Sequence, residues 1–538
     1  MNSAPVILII GSGPAAVSAA WPLLEAGLRV HMIDPGVESL RQSALDDRDF
    51  AAWRHSDSQW RIFLGENPAL LENASPKLRA PEFDYVFENF VERLQIETKD
   101  FSVHGSLAPG GLSGAWGSGV GAFTEEELEG YPITRADLAP SYDAVAKRIG
   151  VSGSDRDELS GWFGADYPLQ SPNPLRPPFS SLYGRHLARS STNVLQRSRN
   201  DFRLGRPQQA VLTQHLGGRQ ACDLRSMCIY GCSRRAIYSA AFELDSLRAH
   251  PNFTYTPGWF ATRVAREDGA LVVQAANMNG ADTRAFTGSR VLLAAGTIAS
   301  TKLALEFVGA YDVDVPLLTT PVLAFALLTR DLRLPPSANG YALGLLAFAL
   351  RLAGVEPEPE VFGGILPTTG LLPTELYGRL PLLRPWSRIL GGWLWPRLLV
   401  GTCFFPGRFS RNKLRVRAGG ALAIEGGYSE DLADAHRKCI RRLRREFASL
   451  GAMLLPGSTG LSRPGEEMHY GGTLPMRTRP GSCETDDEGR LHGVEDLHIV
   501  DGSVLTSLPA KSHTLTIMAN ADRIARRVAA KYIREEVN

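Results

Sequence analysis

The chain has 538 residues, enough to bury a sizeable core and to form more than one domain. Lys plus Arg number 58 and Asp plus Glu 57, so the electrostatic footprint of a nucleic-acid binder is absent. Six cysteines in a chain of this length exclude a disulfide scaffold. The start, MNSAPVILII, has no basic stretch ahead of its apolar run and no small-residue cleavage site, which predicts a cytoplasmic protein.

The first predicted element is a strand at Val6–Ile10, apolar throughout as a strand buried on both faces would be. Gly11, Gly13 and Ala16 follow as G-x-G-x-x-A. In that pattern the first glycine makes the turn, the second lets a pyrophosphate reach the backbone, and the small third residue lets helix and strand pack closely. The helix that opens there should offer its free amides to the phosphates and end at Gly27 in a left-handed cap. A second strand ends at Asp34, 23 residues after Gly11, where a carboxylate can take the hydroxyls of a ribose. Strand, turn, helix, strand and acid together predict dinucleotide binding; they do not choose between NAD and FAD.

The stretch 105–122 holds seven glycines and reads as backbone lying close against a cofactor, with Leu112, Trp116 and Val120 arguing against a floppy loop. Thr134 and Asp137 predict a capping box opening a helix. Cys222, Cys228 and Cys232 have spacings unlike those of metal pairs, so no metal site is predicted. Paired strands turn near Gly269, and Val291–Ala295 reads as a return strand of the dinucleotide domain, with Gly296 passing close to the nucleotide. In 341–400, Leu, Trp and Arg interleave, but no uninterrupted membrane span occurs. That segment suits a lid over an apolar substrate, a peripheral patch against a membrane, or plain core. The basic run Arg437–Arg445 alternates with apolar positions and reads as the wet face of a helix.

Four stretches together resemble the glucose–methanol–choline (GMC) family of FAD-dependent oxidoreductases. They are GSGPAAVSAAWPLLEAGLRVHMIDPG, GGLSGAWG from Gly110, AAGTIASTKLAL, and the end block HYGGTLPM with HGVEDLHIVDGSVLTSLPAKSHTLTIMANADRIA. The resemblance implies an α/β fold: a discontinuous Rossmann-like FAD-binding domain (1–50, 100–130, 200–305, 480–538) and an α+β substrate domain with an antiparallel or mixed sheet (51–99, 131–199, 306–479). It implies that Gly110, Gly111, Ser113 and Trp116 lie along the flavin and that Asp501 and Gly502 lie by its ribityl and ring. It also places two polar side chains near flavin N5, and His469 and His513, 44 residues apart, match those positions.

The chemistry favours such a pair on its own grounds. Oxidising CH–OH to a carbonyl removes a hydroxyl proton and a hydride, and imidazole titrates near operating pH. Either ring can be the base while the other orients the same oxygen or shares the proton; His469 is the expected base and His513 its partner. The H-x-G-G-T form of His469–Thr473 is most similar to the sugar-oxidising pyranose oxidase branch, although that branch carries Asn at the second position. The same branch links FAD to a His just before the residue matching Trp116; Ala115 stands here, so FAD should be held noncovalently. The expected partners are a small-molecule alcohol and an electron acceptor, with a quinone or other carrier favoured over O2. The substrate reads as a sugar derivative or, from the bulk of 341–400, an apolar alcohol such as a lipid, sterol or polyketide. A noncatalytic flavin-fold binding protein is the rival from another class. The oligomeric state stays open.

Overall fold

A computed structural model describes residues 6–39, 50, 80–192, 201–280, 282–331, 340–371 and 383–537. The predicted substrate-domain stretch 51–79 and the part of the apolar segment at 372–382 lie outside the described residues.

A five-stranded parallel sheet organises one half. Its order is Leu497–Ile499, Arg290–Leu293, Val6–Ile10, Arg29–Asp34, Phe253–Pro257. Ile7 pairs with Val30 and with Arg290, and Leu293 with Ile499. The sheet therefore gathers strands from the start, middle and end of the chain. Leu8 and Ile9 are fully buried, as an apolar strand covered on both faces requires.

The helix Pro14–Glu25 begins with Pro at its first position, where a missing N–H costs nothing. It closes as predicted at Gly27 (φ 81°), with Gly27 N donating to Leu24 O and Leu28 N to Leu23 O, a Schellman arrangement. This helix packs against the C-terminal helix Thr514–Val537. A three-stranded antiparallel meander, Trp259–Glu267, Ala270–Asn277 and Thr283–Gly288, turns at Gly269 and touches the first two parallel strands. The capping box also forms: Asp137 N donates to Thr134 Oγ1 at 3.3 Å, and Thr134 N to Asp137 Oδ2 at 2.9 Å.

The other half is built on a large sheet with antiparallel pairing. Its main path runs Ala452–Leu454, Val322–Thr329, Leu398–Phe404, Glu360–Pro367, Leu346–Arg351, Phe202–Gly205. Alternation along each strand splits the residues between two faces. Leu323, Leu327, Val361, Ile365, Leu399 and Cys403 enter a core with the helix Leu432–Ser449. That helix buries Leu432, Ala435, Cys439, Leu443 and Phe447 and exposes Arg441, Arg444 and Arg445, the wet face expected of the basic run. The opposite face of the sheet, including Val322, Ala324, Phe362, Leu366, Val400 and Phe404, looks into a cavity. The architecture is α/β: a Rossmann-like FAD-type domain with a mixed and antiparallel substrate domain beside it.

Candidate active site

One cavity of about 1610 Å³ runs between the two halves. Gly11, Gly13, Asp34, Gly111, Ser113, Trp116, Gly296, Asp501 and Gly502 line it, and so do His469 and His513. Two of the sequence-predicted positions stand one layer back. Ala16 is fully buried in the helix. Gly110 is absent from the lining, and its amide donates to Ser12 Oγ at 3.0 Å.

The glycine turn is shaped by its neighbours. Gly11 has φ 99°, and a Cβ there would sit 2.4 Å from Ala294 O, so only glycine fits between the two parallel strands. Gly13 differs: a Cβ there would meet no protein atom within 4 Å. The space in front of it is cavity. Gly111 crosses directly opposite, since its own Cβ would lie 3.5 Å from Gly13 Cα. Asp34 closes the strand end. Its carboxylate accepts from Ser12 Oγ (2.8 Å), Gly36 N (2.8 Å) and Tyr255 OH (3.2 Å), and burial raises it to about 6. Hydroxyl donors of a ribose would favour its charged form. A cradle at Gly13 that no side chain fills, two glycine-rich segments face to face and a buried acid at the strand end fit a dinucleotide.

Asp501 is a hub rather than a free ligand. It accepts from Gly296 N at 3.0 Å, Ser300 Oγ at 2.5 Å, and Ser503 N and Oγ at 3.0 and 2.5 Å. Those bonds lock the start of the helix Thr297–Phe307 to the turn at Gly502, and burial raises the carboxyl.

His469 and His513 come together from loops on either side of the C-terminal strand. Their ring centroids lie 5.0 Å apart at 88°. His469 Nδ1 lies 2.7 Å from Thr320 Oγ1, and Phe404 stacks on the ring at 5.0 Å and 19°. The loop carrying His469 is pinned by Tyr470, whose OH donates to Gly465 O at 2.9 Å and whose carbonyl accepts from Thr297 Oγ1 at 3.0 Å. His513 leads into the C-terminal helix, and Thr514 and Ile517 line the cavity beside it. Its Nδ1 is buried without a hydrogen-bond partner. Two residues earlier, buried Lys511 donates to Ala122 O at 3.1 Å and pairs with Glu127 at 2.7 Å. That clamp ties the loop of His513 to the end of the second glycine-rich stretch.

Both imidazoles depart from the ordinary value that sequence chemistry assigned to the pair. Burial lowers His469 to about 4, and burial together with His469 drives His513 well down. Both rings are therefore neutral at pH 7. Sequence reading also missed Thr320, Phe404 and Glu467. Glu467 lines the cavity two residues before His469. Neither of its carboxylate oxygens makes a well-formed hydrogen bond. Burial raises it to about 7 against the pull of Thr319 and nearby amides. The remaining candidates lie elsewhere. Cys222, Cys228 and Cys232 pack partly buried against the second core, with burial raising the Cys222 thiol to about 11.

A GMC oxidoreductase family model matches residues 412–521, the stretch holding both histidines and Asp501. Paromamine 6'-oxidase of Streptomyces fradiae is 25% identical over 98% of this chain and 92% of its own length. The 6'''-hydroxyparomomycin C oxidase of Streptomyces lividus is 24% identical over 97% and 91%. Among solved structures, pyridoxine 4-oxidase from Mesorbium loti superposes with TM-score 0.61 at 16% identity, covering 97% of this chain and 99% of its own. Formate oxidase does so with TM-score 0.63 at 14% identity, covering 99% and 100%. At these identities the two structures speak for the fold.

Proposed function

We propose that this chain, a member of the GMC flavin-oxidoreductase superfamily, oxidises the CH–OH group of an amine-bearing sugar derivative, with His469 as the base and His513 as the donor that orients the hydroxyl. FAD-dependent oxidation of CH–OH groups is the activity typical of the superfamily. FAD, when bound along Gly11–Asp34 and Gly110–Trp116, supplies the acceptor for the hydride that leaves carbon.

The observation that carries the assignment is the asymmetry of the two rings. His513 Nδ1 is buried with nothing to donate to, so a neutral ring keeps its proton on Nε2. That nitrogen is then a donor. His469 has the opposite option. With Nδ1–H donating to Thr320 Oγ1, its lone pair sits on Nε2. One ring offers a proton to the substrate oxygen and the other takes the hydroxyl proton as the C=O bond forms. Lowered basicity keeps His469 unprotonated and ready at neutral pH.

Glu467 supports an amine-bearing substrate. Burial leaves this carboxyl, which has no cation partner among the described residues, partly protonated near pH 7, and a ligand ammonium would favour its charged form. The relative at 25% identity is named for paromamine, an amine by its name. The H-x-G-G-T form of His469–Thr473 adds support for kinship with the sugar-oxidising branch. Glu467→Gln should raise KM for an amine-bearing alcohol by about tenfold to a hundredfold, the worth of a charged hydrogen bond, with little change for its neutral analogue. Equal effects on both substrates would remove Glu467 from recognition. The apolar sheet face of the cavity favours a second reading, an apolar alcohol. Anaerobic bleaching of the flavin by amino sugars, neutral sugars, aliphatic alcohols and sterols separates the two.

A quinone or another carrier is proposed as acceptor, supported by the apolar helix at the cavity rim described below. The curated relatives are named as oxidases, so the competing outcome is definite: rapid reoxidation of the bleached enzyme by O2 would overturn the carrier reading. Noncovalent FAD is checked separately. Ala115 has no nucleophile, and His104 is the one further imidazole lining the cavity among the described residues. Acid denaturation should leave FAD in the supernatant; yellow colour in the pellet would point to a covalent link.

A further inference from the structure

We infer that the helix Arg384–Leu394 is an interfacial helix by which this chain docks on an anionic lipid surface. Trp386, Ile389, Leu390 and Trp393 recur at i, i+3, i+4 and i+7, the spacing of one helix face. With Leu383 they are between 39% (Leu390) and 77% (Leu383) exposed. Large exposed apolar side chains elsewhere among the described residues are scattered, such as Val91, Leu187 and Ile533. Scattered ones need no explanation; a stripe carrying two tryptophans does.

The opposite side of the helix is anchored. Ser387, Gly391 and the following Trp395 are buried, so the stripe is not a packing face turned outward by a loose helix.

Chemistry chooses among occupants. Tryptophan combines an apolar body with an N–H and concentrates at the headgroup level of bilayers. The helix and its exit carry Arg384, Arg388 and Arg397, and no Asp or Glu occurs from 376 to 424. Arg397 stacks its guanidinium over the Trp393 ring at 4.6 Å and donates to Trp393 O at 3.1 Å, holding a cation beside the apolar stripe. An exposed apolar stripe with the Arg397 cation beside it, in a segment whose sequence holds arginines and no acids, matches an anionic lipid surface better than a neutral one. The end of the helix, beyond the stripe, borders the site. Leu394, Trp395 and Leu398 line the cavity, so the docked face would open beside it. No helix among the described residues is long and apolar enough to cross a membrane, so contact through this helix would be peripheral.

The inference stands apart from the proposed reaction, because binding is read without substrate. Holoprotein is sedimented with vesicles of phosphatidylcholine and phosphatidylglycerol at low salt. It should pellet with these vesicles, less with phosphatidylcholine alone, and less as salt screens the charges. Trp386→Ala/Trp393→Ala should lower the vesicle affinity by about tenfold or more. Flavin content should be unchanged. Brominated phosphatidylglycerol should quench tryptophan emission in the unaltered chain, a measurement independent of whether the variant folds. The inference is overturned if holoprotein stays in the supernatant, if the double variant binds as well as the parent, or if bromolipid leaves the emission unchanged. It is equally overturned if the substitutions dissolve a dimer in solution while vesicles bind neither form, since a second copy would then cover the stripe.

Discussion

His469→Ala is expected to slow anaerobic flavin reduction by about 10² to 10⁴, the usual worth of a general base, while FAD stays bound. The cofactor contacts proposed for Gly11–Asp34 and Gly110–Trp116 do not pass through this side chain. Removing the ring leaves Thr320 Oγ1 without its 2.7 Å partner and Phe404 without its stacking surface. Neither group can accept a hydroxyl proton at neutral pH. His513→Asn should be milder, because an amide still donates to the substrate oxygen. Reversed severities would make His513 the base, and unchanged reduction in both variants would take the pair out of the mechanism.

The pH profile sharpens the test. Burial lowers His469 to about 4, so its active, neutral form is present above that value and is lost as pH falls through it. The rate of reduction per bound substrate should therefore be flat between about pH 6 and 8 and fall toward about pH 4. In the His469→Ala variant the acid limb should disappear. A limb centred near the ordinary imidazole value of about 6.5 would mean that the ring is better solvated than its surroundings indicate.

Gly13→Val should weaken flavin binding by about tenfold to a hundredfold while the chain still folds. A Cβ at Gly13 meets no protein atom within 4 Å, and its backbone (φ −68°, ψ −178°) is one that valine adopts readily. The side chain would enter the cavity that Gly13 lines, where the cofactor phosphates are proposed to lie. Overpacking of that kind costs on the order of 1–3 kcal/mol, which is about tenfold to a hundredfold in Kd. The variant should purify with a lowered flavin content and lose more on dilution, with far-UV circular dichroism like the parent's. Gly11→Val offers the contrast: its clash with Ala294 O should damage the sheet itself and lower soluble yield. Full flavin occupancy in the Gly13 variant would show that the phosphates lie elsewhere.

What could be read from the sequence follows from distance along the chain. The turn at Gly11, the helix, the Schellman close at Gly27 and the acid at Asp34 are all encoded within 29 residues, and each appears where the pattern put it. The two histidines were legible because short motifs surround them. Thr320 was not: its bond to His469 spans 149 positions, and nothing local marks it. The buried pair Lys511–Glu127 was hidden for the same reason. The low basicity of the imidazoles comes from burial, a property of the whole cavity. In 341–400 the interleaving of Leu, Trp and Arg proved to be two patterns in succession. The strands Leu346–Arg351, Glu360–Pro367 and Leu398–Phe404 put one face into the core and another toward the cavity, whereas the helix between the last two turns its stripe outward. Composition alone could not separate a period of two from one of 3.6.

The way the parallel sheet is threaded bears on how the protein is made. Val6–Ile10 is made before the other strands of its sheet, yet one of its two neighbouring strands, Arg290–Leu293, is synthesised nearly 300 residues later, and the strand beyond that ends at Ile499. The first helix then waits for Thr514–Val537 to cover it. An apolar strand with no partner is an aggregation hazard while translation continues. Long-range pairing of this kind makes folding slow, because the sheet and its covering helix cannot be completed until Thr514–Val537 has been made. Termination before Thr514–Val537 is made would leave the helix Pro14–Glu25 without the partner that covers it.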